Sequence, residues 1–414
     1  MVARETLVPE AFGPLQGVRV LSTGSVIAQP FAAVVAAQMG AEVIQVENPK
    51  VPDAWRTVGL MLNGEDGQPA VSTSFAAERR NQFHVRLDMS APEGKEIFLG
   101  LAARADIWME SSKPGTYSKW GLSDEVVLTR NPRLVICHVS GYGQEGEPSY
   151  LGRASYDMIG QAFGGSMYQT GFPDPQPPTR AAPWTADYIT ALFCLSSSLA
   201  AYIHAKETGE GQVIDLAQFE AIHAVLAGTM VEWFRLGQVR ERSGNKSPAF
   251  QPYDVYAAAD GAVVIASPAT TIHEKVCRLL GLDPTDPYWE GARTAINDVN
   301  GLEFDALLRG WVEERPVAEV VQVLNEAGIP CTTVMSAKDS AEDPHYQARG
   351  VHMEWEDGQV GSLKGTGPVP RFSKTPGKIW RGSAAAGADN GRIYGELLGY
   401  SANQLAAMEA NGII

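Results

Sequence analysis

The chain has 414 residues, of which 44% are hydrophobic and 20% charged, and its 48 acidic and 33 basic side chains leave a formal net charge of −15. That length can bury two cores, and the composition is that of a globular protein rather than a disordered or fibrous one. The acidity, without any Lys/Arg run, argues against nucleic-acid binding, so an anionic ligand would need a few local cations.

The four cysteines, Cys137, Cys194, Cys277 and Cys331, lie far apart in apolar runs and form no CxxC pair. They read as reduced core thiols of a cytoplasmic protein. Residues 1–6 lack the apolar core of a signal peptide. No apolar run reads as long enough to span a bilayer, so no membrane partner is expected. The seven histidines show no HExxH-like spacing, and no metal site is expected.

Residues 17–22 read as a buried strand, 31–39 as a helix closed by Gly40, and 41–47 as the next strand. This is a βαβ unit of the doubly wound kind. Glu47 falls where dinucleotide folds place their ribose-binding acid. The turn over 22–30, which holds Ile27 and Ala28, has Gly24 as its one glycine and no GxGxxG, which argues against NAD. Residues 83–88 form another strand, followed by a helix over 92–103 with Pro92 at its first position, then a strand over 107–110. The turn 111–119 carries Lys113 and Lys119 at a strand's C-terminal end, where open α/β sheets bind ligands. Spacing alone leaves them as solvated cations or as anion contacts. Residues 134–139 are continuously hydrophobic, as parallel strands are. The Gly-rich stretch 140–146 that follows is not a P-loop, because no Gly-Lys-Ser/Thr ends it.

The Pro-rich loop 173–179 cannot be helix interior. Behind it, Pro183-Trp184-Thr185-Ala186-Asp187-Tyr188 sets a carboxylate ahead of an apolar helix read over 189–203. Thr185 or Asp187 can cap this helix, and Gly209 stops it. The helix dipole and free backbone N–H groups favour a charged Asp187, which suits a nucleophile. On spacing alone a mere cap is the commoner arrangement. Residues 212–216 then read as a strand and 217–236 as one long helix.

From Gly244 the texture changes. Residues 253–257 and 262–266 flank Asp260-Gly261, a hairpin signal, and helices follow over 272–280, 302–313 and 317–327. Residues 351–355 follow an acidic, polar connection, and a Pro/Gly stretch over 365–377 with helices over 391–398 and 401–409 would bring the C-terminus back to the first domain. The expected fold is α/β: a Rossmann-like doubly wound large domain over 1–215, a linker helix over 216–250, a small α+β domain over 251–335, and a return linker with C-terminal helices over 336–414.

Several segments, taken in order, carry a resemblance. They are Pro30-Phe31-Ala32-Ala33 with Gly40-Ala41-Glu42-Val43-Ile44, then Lys113-Pro114-Gly115, Asn131-Pro132-Arg133-Leu134-Val135 and Ser140-Gly141-Tyr142-Gly143-Gln144. Tyr156-Asp157 with Gln161-Ala162, Ala186-Asp187-Tyr188 and Thr208-Gly209-Glu210-Gly211-Gln212 complete the set. With this order and spacing the chain resembles the family III CoA-transferases nearly end to end. Residues 161–163, 183–188 and 376–382 are similar to the carnitine-type members.

The resemblance implies an enzyme that moves coenzyme A from an acyl-CoA to a small carboxylic acid through an aspartyl-CoA thioester, with Asp187 as nucleophile. No tightly bound cofactor is implied; CoA is a substrate. Two chains would interlock, as a homodimer or as a heteromer of related subunits. The positions that match CoA contacts are Ile27, Ala28, Leu87, Ser90, Ser112, Lys113, Lys119, Tyr156 and Asp157. Trp120, next to Lys119, stands where carnitine-type members carry Arg. Gln161 or backbone amides would bind the transient oxyanion. Trp184, Tyr188 and Tyr168 are candidate aromatic faces for a carnitine- or betaine-like ammonium, and they would suit an aryl-substituted acid too. One alternative is an α-methylacyl-CoA racemase-type isomerase, which needs a His near 140–146; His138 reads as a core residue instead. Another is a subunit of a two-chain CoA-transferase, such as one acting on an aryl-succinate.

Overall fold

A computed structural model describes residues 6–414. Most of the N-terminal stretch read above for a signal peptide, residues 1–5, lies outside the described residues.

Strands β1 (Arg19–Ser22) and β2 (Glu42–Glu47) are followed by a small antiparallel hairpin, β3 (Met61–Asn63) and β4 (Pro69–Ser72). Strands β5 (Gln82–Arg86), β6 (Ile107–Glu110), β7 (Val135–Ser140) and β8 (Val213–Ala217) join β1 and β2 in one sheet. Every pairing in it is parallel, in the order β5-β2-β1-β6-β7-β8. Counted along the chain, that is third, second, first, fourth, fifth, sixth. The winding therefore reverses between β1 and β6, the place where such sheets bind ligands.

The hydrophobic runs of these strands follow from burial on both faces. Successive side chains point to opposite sides. Leu21, Ile44, Trp108 and Ile136 enter one core, while Val20, Val43, Ile107 and Val135 enter the other. The C-terminal segment returns to the first of these, where Ile393 and Tyr394 are fully buried and Tyr394 donates to the Arg86 carbonyl at 2.8 Å.

Two helices depart from the sequence reading. The helix read over 189–203 runs Thr185–Thr208, 24 residues, and stops at Gly209 with φ 84°. Its N-cap position is Trp184, with no side-chain cap, so neither Thr185 nor Asp187 caps it. By length and composition it could cross a bilayer, which overturns the reading that no run reaches that length. Ala191, Cys194, Leu195, Ala201 and Ala205 nonetheless lie in the sheet's second core. The long helix read over 217–236 is two helices, Gln218–Ala224 and Thr229–Leu236. Ala227, at φ 51°, cannot continue a right-handed helix and precedes Gly228.

The chain divides into two compact units. The first comprises the residues through Ser166 together with Ala181–Met230 and Gln347–Ile414. It includes a second hairpin, β12 (His352–Asp357) with β13 (Gly361–Thr366). The second comprises Met167–Arg180 and Val231–Tyr346. The Pro-rich loop thus belongs to the second unit, and the divisions near 230 and 346 fall within the linker expected over 216–250 and the return segment expected over 336–414. The second unit has an antiparallel sheet, β11 (Cys331–Thr333), β10 (Gly261–Ala266) and β9 (Tyr253–Ala258), packed on its own core of Val263, Ile265, Phe304, Leu308 and Leu324. Ala258 pairs with Gly261, so the turn is Ala259-Asp260 and Gly261 opens the return strand. All four cysteines are free thiols.

Glu47, at the end of β2, is not an open ribose acid. Arg56 Nε and Nη2 grip its two oxygens at 2.9 and 2.5 Å, and Arg56 Nη1 reaches the Ala384 carbonyl at 3.0 Å. Burial opposes the charge, yet Arg56 and His84 hold the carboxyl well below the usual range. A depressed folded-state pKa contributes stability that is complete above the ordinary glutamate range and lost as pH falls through the folded value. Glu47→Gln should therefore lower unfolding stability by about 3 kcal/mol near neutrality. Urea denaturation should show the gap narrowing in acid, and an unchanged midpoint at pH 7 would refute it.

Candidate active site

At the point where the winding reverses, three loops leave the C-terminal ends of β1, β6 and β7. They enclose a cavity of about 250 Å³ with Asp187 and Gln218 in its wall. Ser25–Ala28, Ser111–Pro114 and Val139–Gly143 contribute to the lining, together with Gly152–Tyr156. Among the described lining residues the cations are Lys113 and Arg153, and the one carboxylate is Asp187. In a chain of net charge −15, this is a local reversal of sign.

Each loop is held by polar contacts. The first rests on Gln29 and Gln45: Gly24 N donates to Gln29 Oε1 at 2.8 Å, and Gln45 Nε2 donates to the Gly24 carbonyl at 2.9 Å. Farther along it, Val26 N donates to Asp53, whose other oxygen is paired with the buried Arg79 at 2.9 Å. The Lys113 loop hangs from Glu110, which accepts from Ser112 N at 2.5 Å and contacts His138 Nδ1 at 2.6 Å. His138 Nε2 lies 3.0 Å from Asp124. Burial opposes the imidazolium, but the Asp124 and Glu110 carboxylates push it up to about 10. In the loop after β7, Gly143 N donates to Ser140 Oγ at 2.9 Å and Gln144 N to Asp215 at 2.8 Å.

Asp187 is the third residue of its helix and 6% exposed. The helix-start amides, which would have stabilised its charge, are taken by a neighbour. Ala186 N and Asp187 N donate to Asp157 Oδ1 at 2.8 and 3.3 Å. Gln218 Nε2 donates to Asp187 Oδ1 at 2.6 Å. Burial first, then the Asp157 carboxylate and more weakly Glu78, raise the Asp187 pKa to about 7, against the lowering effect of Gln218. The expectation that the helix start favours a charged Asp187 is thus reversed, because burial and a like charge outweigh the dipole.

The other expected contacts divide. Ile27, Ala28, Ser112, Lys113 and Tyr156 line the cavity with Asp187. Asp157 is buried behind them as the substitute helix cap. Lys119 is exposed at the end of the short helix Thr116–Lys119, outside the lining. Leu87 is a core side chain, and Ser90 bonds Asp88, which is paired with Lys50; neither lines the cavity. Gln161 cannot serve the oxyanion. Its amide nitrogen donates to Asp157 and the Ala181 carbonyl, and its oxygen accepts from Ala181 N.

Trp184 and Tyr188 turn away into a small apolar cluster. Trp184 meets Trp55, while Tyr188 meets Phe31 and donates its hydroxyl to Glu78. Tyr168 lies in the second unit and donates to Glu241 at 2.9 Å. The aromatic lining is instead Tyr142 and Tyr156. Arg153 and Gln218 were missed by the sequence reading. The Gly-rich stretch before Arg153 hinted at a loop of this kind; nothing in the sequence marked Gln218.

Residues 15–390 match the CoA-transferase family III, and the chain belongs to that family. It is 37% identical over 409 residues to a bile acid CoA-transferase, BaiK, of Clostridium scindens, covering 97% of this chain and 90% of that one. It is 34% identical over 408 residues to the L-carnitine CoA-transferase of Proteus mirabilis, with 97% of each chain covered. The crystal structure of a CAIB/BAIF family protein from Brucella suis superposes with a TM-score of 0.81 at 30% identity, covering 93% of this chain and all of that one. The chain is thus a CoA-transferase, whose substrates are CoA thioesters and carboxylates.

Infrared pH-difference spectra of the protein, referenced to Asp187→Asn, should show one carboxyl titrating at about 7. A midpoint in the ordinary aspartate range would mean that burial and Asp157 do not control this group.

Proposed function

We propose that the chain transfers CoA from an acyl-CoA to a substituted carboxylic acid through an aspartyl-CoA thioester on Asp187. One observation carries this reading: a buried carboxylate of raised pKa opens onto a cation-edged cavity at the sheet's switch point. A carboxylate poorly stabilised in its charged form is a stronger nucleophile once ionised.

Asp187 Oδ2, not engaged by Gln218, attacks the thioester carbonyl. The C–S bond breaks, leaving a mixed anhydride and CoA thiolate. The thiolate attacks the aspartyl carbonyl and expels the donor acid, so CoA is held on Asp187. The acceptor carboxylate attacks that thioester, and the returning thiolate cleaves the second anhydride to give the new acyl-CoA and free Asp187. Lys113 and Arg153 serve the CoA phosphates. Water must be kept out, because anhydrides hydrolyse.

The relatives named above act on a bile acid and on carnitine, which supports a substituted acid as acceptor. With Trp184 and Tyr188 turned inward, Tyr142 and Tyr156 are the aromatic faces available to it. An interlocked dimer is supported by the outer face of the Asp187 helix, where Leu192 and Ile203 stay more than half exposed, and by an apolar hollow of about 670 Å³ lined by Phe31, Leu192, Trp355 and Leu363. The free thiols fit a reducing cytoplasm. An α-carbon racemase is not favoured, because carboxylates occupy both ring nitrogens of His138.

Incubation with acyl-CoA and hydroxylamine should place a hydroxamate on Asp187 by mass spectrometry, and Asp187→Asn should abolish both label and transfer. Turnover without modification of Asp187 would sink the thioester route. Because Asp187 must be ionised, kcat/KM should rise about tenfold per pH unit below pH 7 and level off above it. Lys113→Ala should raise KM for acyl-CoA roughly tenfold, about 1.4 kcal/mol, and more at low salt. An unchanged KM would remove Lys113 from the phosphate site.

A further inference from the structure

Gln218 opens the helix Gln218–Ala224 directly after β8 and is 4% exposed. Both ends of its amide are committed. Nε2 donates to Asp187 Oδ1 at 2.6 Å, and Oε1 accepts from Ser155 Oγ at 3.2 Å. The backbone has made room for it: a Cβ built on Gly160 would lie 2.5 Å from Gln218 Oε1 and 2.8 Å from its Cγ. Ser155 and Gln218 both line the cavity, so this donor sits where Asp187 meets its substrate.

We infer that Gln218 is a catalytic residue that binds the aspartyl carbonyl oxygen throughout the exchange and stabilises the negative charge that develops on it. This inference rests on the nucleophilic role proposed for Asp187. By holding Oδ1, Gln218 selects Oδ2 as the attacking oxygen. When Asp187 is acylated through Oδ2, Oδ1 becomes the carbonyl oxygen of the anhydride. CoA thiolate then adds to that carbon. A C–S bond forms, and the carbonyl π pair moves onto Oδ1, which faces the Gln218 N–H. Collapse restores the double bond and breaks the C–Oδ2 bond; Oδ2 leaves on the donor carboxylate, carrying the charge that arrived on sulfur. No proton moves. The same N–H meets the same oxygen when the acceptor carboxylate attacks the thioester. Its amide is already held by Ser155, so it needs little reorganisation as the charge develops.

The test compares wild type, Gln218→Met and Gly160→Ala. Met keeps the side-chain length without a donor, and the alanine displaces Gln218 without changing it. In both, kcat and the single-turnover rate of hydroxylamine-trappable CoA on Asp187 should fall about 10²-fold, while KM for acyl-CoA stays within about twofold. The acid limb of kcat/KM should also move to higher pH, because a hydrogen bond that favours the ionised carboxylate has gone. Wild-type rates and an unmoved limb in Gln218→Met, with label still on Asp187, would overturn this inference alone. No label on Asp187 in the wild type would remove the nucleophile reading and this one with it. Should Gln218→Met fail to fold, Gly160→Ala decides by the same readouts.

Discussion

The two backbone N–H groups at the start of the 24-residue helix can satisfy one carboxylate, and they satisfy Asp157. Helix starts leave amides without intrahelical partners, and acidic side chains are drawn to them. Had Asp187 taken them itself, it would be a well-solvated cap with a low pKa and little nucleophilicity. Because Asp157 takes them from across the fold, Asp187 is left in the helix with its charge opposed by burial and by Asp157. Gln161 completes the arrangement by donating to the other oxygen of Asp157 at 2.7 Å and fastening it to Ala181. The sequence-adjacent Tyr156 faces the cavity while Asp157 faces the helix, as neighbouring residues at the start of a helix can.

The sheet determines where this arrangement meets substrate. Reversal of winding between β1 and β6 separates the loops that follow them, and the cavity lies in that gap. Each loop is tied down by polar groups: the buried Gln29 and Gln45 under the first, the buried Glu110–His138 pair under the second, and the half-buried Ser140 with the exposed Asp215 under the third. Buried polar groups are costly unless fully paired, and a fully paired network fixes a single geometry. With both ring nitrogens on carboxylates, His138 is held above the ordinary histidine range.

The parallel sheet was legible because strands buried on both faces read as largely apolar runs, as Val135–Ser140 does with His138 and Ser140 as its polar members. Asp187 was singled out by the family resemblance; its neighbours Pro183 and the apolar helix alone read more readily as the setting of a cap. Its charge state was not legible, because that depends on Asp157, 30 residues away in sequence. Gln218 escaped notice for a similar reason: a glutamine after a strand carries no periodicity or motif, and its meaning comes from β8 ending beside the Asp187 helix. The break at Ala227 was hidden because alanine is a strong helix former, and its left-handed backbone is imposed by the surrounding fold. Lys119 lies six residues after Lys113, but a short helix turns it away from the cavity. The extra turn at each end of the Asp187 helix was cut short by reading only its apolar residues.

On the aspartyl route proposed above, the nucleophile must also be a leaving group, since every aspartyl intermediate would have to break down again. A carboxylate with a pKa of about 7 is better matched to a thiolate than an ordinary aspartate is, because raising its basicity narrows the gap to the thiol's 8.5. Raised much further, it would be protonated at neutral pH and inert. Two buried neighbours act in opposite directions on this compromise. Asp157 pushes the carboxyl up by its charge, and Gln218 draws it back by donating to Oδ1. On that proposed route, the donor that limits the shift is held on the oxygen that would bear the charge when the aspartyl carbonyl is attacked. The same contact therefore tunes the resting carboxylate and is placed to favour breakdown of the intermediate.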